Sequence, residues 1–273
     1  MTRQLALLAT ALFCPAPAKA EQARWETFNG TLSASKFADV AAFTPEAVPR
    51  LERAWEVRTG DVADGSGDLP ETVWSATPIY ANGTLYLGTP FYRIIALDPA
   101  TGAEKWRYDS QSTLETLTQP ALKNRGVAYW ESGATGPCEK RVYLGTMDAA
   151  LHAVDADTGA PCAEFGENGV LNVNQWNETN AVFPFSLLQP PTIVGDTILI
   201  GWSGMDWEYT VEPPGNLMAV DARTVGHRLH SGRDDPAHRH GEHLVLDVGG
   251  PGTGPRLCAH LFAFAELLGR QPA

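Results

Sequence analysis

The sequence has no cluster of basic residues. Its 273 residues include 20 Lys and Arg against 32 Asp and Glu, for a formal net charge of -12, and no Lys follows Lys140. Nucleic acids and anionic membrane surfaces recruit clustered Lys and Arg. The charge pattern therefore disfavours both as partners.

A hydrophobic run long enough to cross a membrane is also absent. A bilayer-spanning helix needs about 20 apolar residues, and the run from Leu5 to Phe13 is much shorter. Together with Arg3 before it and Ala18-Lys19-Ala20 after it, this run has the parts of a secretory signal peptide over residues 1–20. We expect an exported, periplasmic protein without a transmembrane anchor. The alternative is that the run forms a buried helix.

Long amphipathic helical patterns are missing as well. From Trp74 to Thr224, short runs of β-branched and aromatic residues alternate with turns rich in Gly, Pro, Asn and Asp, which is typical of all-β proteins. Residues 21–73 form a leading segment, in which we expect a weak helix around Thr44 to Leu51 and a first strand around Ala54 to Arg58. Residues 74–224 form the main β domain.

One unit of sequence occurs three times in this β domain. Each copy has an apolar run and an A-x-D-x-x-T turn, and the turn aspartates Asp98, Asp155 and Asp221 are spaced 57 and 66 residues apart. The first copy continues with Gly102 and Trp106. The Asp and Thr side chains can hydrogen-bond backbone amides, Gly tolerates a positive φ, and the Trp ring can pack between sheets. Repetition at this spacing predicts a modular β architecture.

Only four cysteines are present, and Cys14 would leave with the signal peptide. In an oxidising compartment Cys138 and Cys162 can form a disulfide between the start of the second repeat's strand and the segment after its turn. Two reduced, buried thiols are the alternative, because sequence does not fix connectivity.

The composition changes after Thr224. Six of the seven histidines lie beyond it, and the third turn runs into VGHRLHSGRDDPAHRHGEH instead of a Gly and a Trp. One interpretation is a metal-binding appendage in which His238, His240 and His243 converge on zinc or copper. The other, which we favour, is that residues 225–273 are an aberrant tail, out of frame or disordered, because the break falls inside a repeat.

The repeats resemble the blades of quinoprotein dehydrogenases that use pyrroloquinoline quinone (PQQ), in particular the membrane-bound glucose and quinate dehydrogenase branch. Four further segments carry this resemblance: TPIYANGTLYLGTP (77–90), LKNRGVAYW (122–130), GAPCAEFGENGVLNV (159–173) and VEPPGNLMAVDART (211–224). The resemblance implies an eight-bladed β-propeller. It also implies that this chain is the N-terminal part, with about four blades of four-stranded antiparallel sheets.

The resemblance also implies site residues. Arg125 occupies the position of an arginine that contacts the quinone, and Ser203 that of a hydroxyl that hydrogen-bonds it. Asp206 matches a Ca²⁺ ligand. Without the family, Arg125 would be an ion-pair residue and Asp206 a solvated loop residue. This chain departs from its relatives at three places: Gln119-Pro120 replaces an adjacent Cys-Cys pair, Ser75 replaces Glu or Gln beside the cofactor, and Leu188 replaces a hydroxyl residue.

The function that the resemblance implies is PQQ-dependent oxidation of a sugar, alcohol or polyol hydroxyl in the periplasm. Ca²⁺ would polarise the quinone, and electrons would pass to a quinone or a cytochrome. The catalytic base falls beyond this chain in the family, so we name no catalytic residue and expect an incomplete, inactive fragment that folds poorly. A non-catalytic β-propeller scaffold of the outer-membrane assembly type is the alternative, and a His-rich metal binder is a further one.

Overall fold

The structure is a computed structural model that describes residues 25–38, 40, 44–112, 121–176, 186–201, 216–225 and 246–247. The described residues form strands and two short 3-10 helices, Val48–Arg50 and Val173–Trp176, without any α-helix. The strands, in chain order, are β1 (Thr72–Trp74), β2 (Ile79–Ala81), β3 (Thr84–Gly88), β4 (Arg93–Leu97), β5 (Glu104–Asp109), β6 (Leu122–Asn124), β7 (Ala128–Glu131), β8 (Lys140–Gly145), β9 (Ala150–Asp155), β10 (Val170–Asn172), β11 (Thr192–Val194), β12 (Thr197–Gly201), β13 (Asn216–Asp221) and β14 (Leu246–Asp247).

Three four-stranded antiparallel sheets follow one another along the chain. Sheet 1 contains β2 to β5, sheet 2 contains β7 to β10 and sheet 3 contains β11 to β14, each with its strands side by side in chain order. The first strand of sheet 2, β7, contacts the first strands of both neighbours, β2 and β11. The sheets therefore stack with their first strands together on one side, as the blades of a propeller do. The predicted all-β, partial β-propeller fold is confirmed.

Two hydrophobic clusters hold the three sheets together. One lies between sheets 1 and 2 and the other between sheets 2 and 3. The central sheet contributes to both, because successive residues of a strand point to opposite faces: Leu151 and Ala153 of β9 belong to one cluster, and Val154 belongs to the other. Burial on both faces explains why apolar residues occur on both faces of this strand instead of on one.

The repeated turn has the structure that its residues predict. The carboxylate of Asp98 accepts hydrogen bonds from the backbone and hydroxyl of Thr101 at 2.8 and 2.9 Å, and Asp155 does the same with Thr158 at 2.9 Å for both. The next residue is a glycine with positive φ in both turns. Its N–H donates to the oxygen of the Asp backbone at 2.8 Å. Each turn is thus closed by three local interactions.

A tryptophan from the preceding part of the chain is seated on each of these glycines. A Cβ on Gly159 would lie 2.6 Å from the ring of Trp106, whose Nε1 donates to the backbone oxygen of Ala156 at 3.1 Å. The ring of Trp55 has the same relation to Gly102. The predicted packing role of Trp106 between sheets is confirmed, and Trp55 is its counterpart one unit earlier.

The third turn departs from this pattern. Val225 stands where the other turns have glycine, and it adopts φ +55°. Its N–H lies 3.3 Å from the backbone oxygen of Asp221, against 2.8 Å for the equivalent bond in the other two turns. A β-branched residue is strained in the left-handed region. The break in the repeat that the sequence shows after Thr224 is therefore also a local strain in the structure.

A buried cation joins sheet 2 to this third turn. Arg141, on β8, is 1% exposed and donates to the backbone oxygens of Cys138, Ala222 and Arg223 at 2.7 to 3.0 Å. It also forms an ion pair with Glu164. A buried charge is tolerated only when it is fully paired. Arg141 keeps its partners on sheet 2 and on the third turn only at the observed distance between them, so these contacts fix the spacing of the two sheets.

The leading segment differs from the sequence prediction. The helix expected around Thr44 to Leu51 is reduced to the 3-10 turn Val48–Arg50, in which Pro49 interrupts helical hydrogen bonding. Ala54 to Arg58 is not a strand. It is fixed instead through Trp55, whose Nε1 donates to the backbone oxygen of Pro99 at 3.0 Å. No helix within the described ranges is long and apolar enough to span a membrane.

Two residues of segment 225–273 form a strand, in addition to Val225 in the third turn. β14 pairs with β13 in the register Asn216 with Asp247 and Leu217 with Leu246, and completes sheet 3. Apart from these two residues and Val225, the tail lies outside the described residues, as do the three histidines His238, His240 and His243 and the signal peptide predicted over residues 1–20.

Candidate functional site

The candidate site is built where the short strands β1 and β6 pair in parallel. Trp74 lies opposite Asn124, so the residues that follow the two strands, Ser75 and Arg125, become neighbours. The hydroxyl of Ser75 donates to the backbone oxygen of Asn124 at 3.2 Å, and the N–H of Thr77 donates to the backbone oxygen of Arg125 at 3.2 Å. Two positions that the resemblance places beside the cofactor are thus brought together.

A third chain segment meets Arg125 from the side of sheet 3. The backbone N–H of Arg125 donates to the backbone oxygen of Leu188 at 3.1 Å. When the amide oxygen of Gln189 faces the guanidinium, it accepts from Nε at 3.3 Å and from Nη1 at 2.5 Å. Leu188, the third position at which this chain departs from its relatives, therefore lies at the same site as Ser75.

Arg125 is half-buried. Of the acidic groups in the described part of the chain, none lies within 4 Å of its guanidinium, and its side-chain partner is the neutral amide of Gln189. A guanidinium that has no acidic partner among the described residues is suited to a planar carboxylate ligand. The chemistry of the donor set fits a cofactor that has several carboxylates.

Asn124 fixes the backbone from which Arg125 projects. It is 1% exposed; its Oδ1 accepts from the N–H of Gly126 at 2.8 Å, and its Nδ2 donates to the backbone oxygen of Gly145 at 3.3 Å. Its close approach to sheet 1 requires Gly88, because a Cβ there would lie 2.3 Å from Oδ1. One buried amide thus ties the Arg125 loop to sheets 1 and 2.

A second set of polar side chains lies beside this loop. Asp148, in the turn between β8 and β9, accepts hydrogen bonds from the hydroxyls of Thr146 and Ser112. The backbone oxygen of Thr146 in turn accepts from the N–H of Leu187 at 3.0 Å. Loops from sheets 1, 2 and 3 therefore interlock on the face that carries Arg125.

Buried rings with hydrogen bonds lie between sheets 1 and 2. The hydroxyl of Tyr92 donates to the backbone oxygen of Ala121 at 2.7 Å, and burial raises the pKa of Tyr92. The ring of His152 meets the hydroxyl of Tyr108 at 2.9 Å, and burial lowers the pKa of His152 to about 4. Both rings are therefore neutral near pH 7 and serve as hydrogen-bonded packing.

An open groove of about 710 Å³ begins at Gln189 and runs along the first strands of sheets 2 and 3. Its walls include Tyr129 and Glu131 of β7, and Phe28 from the leading segment. The hydroxyl of Tyr129 donates to Oε2 of Glu131 at 2.9 Å, and burial raises the pKa of Tyr129. The volume lies in the range of sites that take small molecules.

Of the remaining predicted site residues, the structure describes only the two cysteines. Ser203, Asp206 and the Gln119-Pro120 pair lie outside the described residues. Cys138 and Cys162 are joined by a disulfide, with Cα atoms 5.7 Å apart. Within the described ranges no group of three or more His, Cys, Asp or Glu side chains could hold a metal ion.

Sequence reasoning missed Gln189 and Asn124 as site residues. Asn124 directly precedes Arg125 in LKNRGVAYW, so a short polar side chain before the Arg-Gly pair was a usable signal. Gln189 carried no such signal, because its contact with Arg125 depends on how sheet 3 packs against sheet 2.

Comparisons with known proteins identify the family. Residues 25–241 match the family model described as PQQ, glucose/ethanol/alcohol dehydrogenase, β-propeller domain. The chain is 33% identical over 227 residues to quinate/shikimate dehydrogenase (quinone) of Acinetobacter baylyi, which covers 76% of this chain and 27% of the relative. It is 30% identical over 214 residues to quinoprotein glucose dehydrogenase A of Acinetobacter calcoaceticus, which covers 73% of this chain and 26% of the relative.

Solved structures show the same architecture. The quinohemoprotein alcohol dehydrogenase from Comamonas testosteroni superposes with a TM-score of 0.58 at 23% identity, over 74% of this chain and 26% of that one. The chain thus spans about a quarter of the length of the curated relatives that it matches. The predicted resemblance to the glucose and quinate dehydrogenases is confirmed, and the chain belongs to the family of the PQQ-dependent glucose, ethanol and alcohol dehydrogenases, within their β-propeller domain.

Proposed function

We propose that these blades form the cofactor-binding part of a PQQ-dependent dehydrogenase that oxidises a hydroxyl of a sugar, alcohol or polyol. The observation that carries the proposal is the convergence of Ser75, Arg125 and Leu188, from three distant parts of the sequence, on the backbone at Arg125. Among the described residues the Arg125 guanidinium has no acidic partner. The names of two relatives, quinate/shikimate dehydrogenase and glucose dehydrogenase, support a polyhydroxylated substrate.

In the proposed reaction the residues of this chain bind and orient. PQQ, when bound, supplies the quinone that takes up two electrons from the carbon bearing the hydroxyl. Arg125 would hold a carboxylate of the cofactor by charge-assisted hydrogen bonds. Asn124 keeps the Arg125 backbone in place. Ser203 is proposed to donate a hydrogen bond to the cofactor.

Asp206 is proposed to contribute an oxygen ligand to Ca²⁺, because hard cations prefer carboxylate oxygens. This assignment rests on the resemblance alone. We assign the base that accepts the substrate's proton to no residue of this chain.

The compartment and the electron acceptor belong to the same proposal. We propose a periplasmic enzyme that passes electrons to a quinone or a cytochrome. The disulfide between Cys138 and Cys162 supports an oxidising compartment, since such bonds persist there and are rare in the cytosol.

A cofactor titration tests the proposal. The chain is mixed with Ca²⁺ and increasing PQQ, and the change in quinone absorbance is followed. We expect saturable binding of one PQQ per chain. Arg125→Met should weaken binding at least about tenfold, the effect of losing a charge-assisted pair.

Arg58→Met is the matched control. The Arg58 side chain is 92% exposed and its nearest acid, Glu56, lies at 3.6 Å, so this variant removes an equal charge at a remote surface. Absence of saturable binding by the unmodified chain, or equal weakening by the two variants, would contradict the proposal.

A further inference from the structure

We propose that Gln189 is a positioning residue for Arg125: it orients the guanidinium for an anionic ligand without neutralising it. The inference rests on the proposed function, since it concerns how the same site holds the cofactor. Gln189 is exposed at the start of the groove, and its amide oxygen accepts from both Nε and Nη1 of Arg125.

The choice of a neutral partner matters for the charge of the site. A carboxylate in this position would pair with the guanidinium and cancel its charge. An amide oxygen accepts the same two hydrogen bonds and leaves the positive charge intact. Two other arginines of the described part of the chain are paired with acids: Arg93 with Asp61 and Asp109, and Arg107 with Glu104. Arg125 differs from them in having an amide at this position.

The geometry also selects which N–H groups remain for a ligand. Gln189 contacts Nε and Nη1, so the N–H groups of Nη2 have no partner among the described residues and remain for a ligand. The backbone bond between Arg125 N–H and Leu188 oxygen, at 3.1 Å, fixes the two backbones next to each other. The guanidinium is therefore held in one orientation before any ligand arrives, which lowers the entropy lost on binding.

Three variants separate orientation from charge. Gln189→Ala removes the two hydrogen bonds and keeps the charge, so we expect PQQ affinity, measured with Ca²⁺ present, to fall about fivefold. Gln189→Glu keeps both hydrogen bonds but neutralises Arg125, so we expect a loss of about twentyfold at low salt, shrinking as salt is raised. Gln175→Glu, at an exposed glutamine on Val173–Trp176, is the control for added charge and should leave affinity unchanged.

A second readout works without any cofactor. In ¹⁵N NMR spectra the Nε–H of Arg125, assigned by its loss in Arg125→Lys, should exchange slowly with water in the unmodified chain and rapidly in Gln189→Ala. In Gln189→Glu it should stay slow. Rapid exchange in the unmodified chain, or no change in Gln189→Ala, would overturn the inference whether or not PQQ binds.

The two proposals fail in distinguishable ways. If the unmodified chain binds no PQQ while the Arg125 exchange pattern is as expected, the proposed function fails and the positioning contact stands. If PQQ binds through Arg125 but Gln189→Ala and Gln189→Glu bind as tightly as the unmodified chain, the positioning role fails and the proposed function stands.

Discussion

Replacing Gly159 by alanine should test how the blades dock on one another. Gly159 has φ +75°, and a Cβ there would lie 2.6 Å from Cε3 and 2.8 Å from Cδ2 of Trp106. Two separate penalties follow. A Cβ in the left-handed region costs about 1 kcal/mol, and displacing a packed indole ring costs about 2 kcal/mol more. We therefore expect Gly159→Ala to lower the free energy of unfolding by about 3 kcal/mol.

Gly195→Ala is the matched control for this experiment. Gly195 has φ +58°, but no atom lies within 4 Å of the position its Cβ would take. Only the conformational penalty applies, so the expected loss is about 1 kcal/mol. Urea unfolding followed by tryptophan fluorescence gives both values under identical conditions. Equal losses in the two variants would refute the seating of Trp106 on Gly159, and with it the docking of sheet 1 on sheet 2.

Three further outcomes are expected. Val225→Gly should raise the free energy of unfolding by about 1 kcal/mol, because it relieves a β-branched residue at φ +55°; destabilisation in thermal unfolding would contradict this. Replacing Cys138 and Cys162 together by serine should lower the free energy of unfolding by about 3 kcal/mol, since the disulfide closes a loop with a sequence separation of 24. An unchanged midpoint of urea unfolding in this variant would contradict that expectation. Burial opposes ionisation of Asp155, but hydrogen bonds from the N–H of Cys138 and from Thr158 outweigh it and lower the pKa of Asp155 in the folded state. The stabilising contribution of the Asp155 carboxylate is therefore complete above its unfolded pKa of about 3.9 and is lost as pH falls through the lower folded pKa. In Asp155→Asn the free energy of unfolding should fall less steeply with decreasing pH below about pH 4. The same pH dependence in the variant and the unmodified chain would show that ionisation of Asp155 contributes nothing to stability.

The blades could be predicted from sequence because their signals are local. Asp98, its Thr and its Gly lie within a few residues, and the turn they form needs no partner from elsewhere in the chain. The strand predicted at Ala54 to Arg58 was wrong because the conformation of this segment is not set locally. Its apolar residues are typical of a strand, but Trp55 is held by a hydrogen bond to the distant backbone oxygen of Pro99. The spacing of the tryptophans was a better signal for the role of Trp55. Trp55 precedes the turn aspartate Asp98 by 43 residues, and Trp106 precedes the next turn aspartate, Asp155, by 49.

The site itself depends on long-range pairing, which sequence does not encode in any one segment. The parallel pairing of β1 with β6 places Ser75 beside Arg125. The stacking of sheets 2 and 3 brings Leu188 and Gln189 to the same guanidinium. The resemblance to quinoprotein dehydrogenases supplied Arg125 as a candidate. Its partners in this chain follow only from the three-dimensional arrangement.

The central claim is that the Arg125 face of these blades binds PQQ. A crystal structure of the chain grown with PQQ and Ca²⁺ would test it most directly. The account predicts a planar quinone on this face with one carboxylate within hydrogen-bonding distance of the Arg125 guanidinium. A quinone bound elsewhere on the blades, or contacts in which Arg125 takes no part, would contradict it.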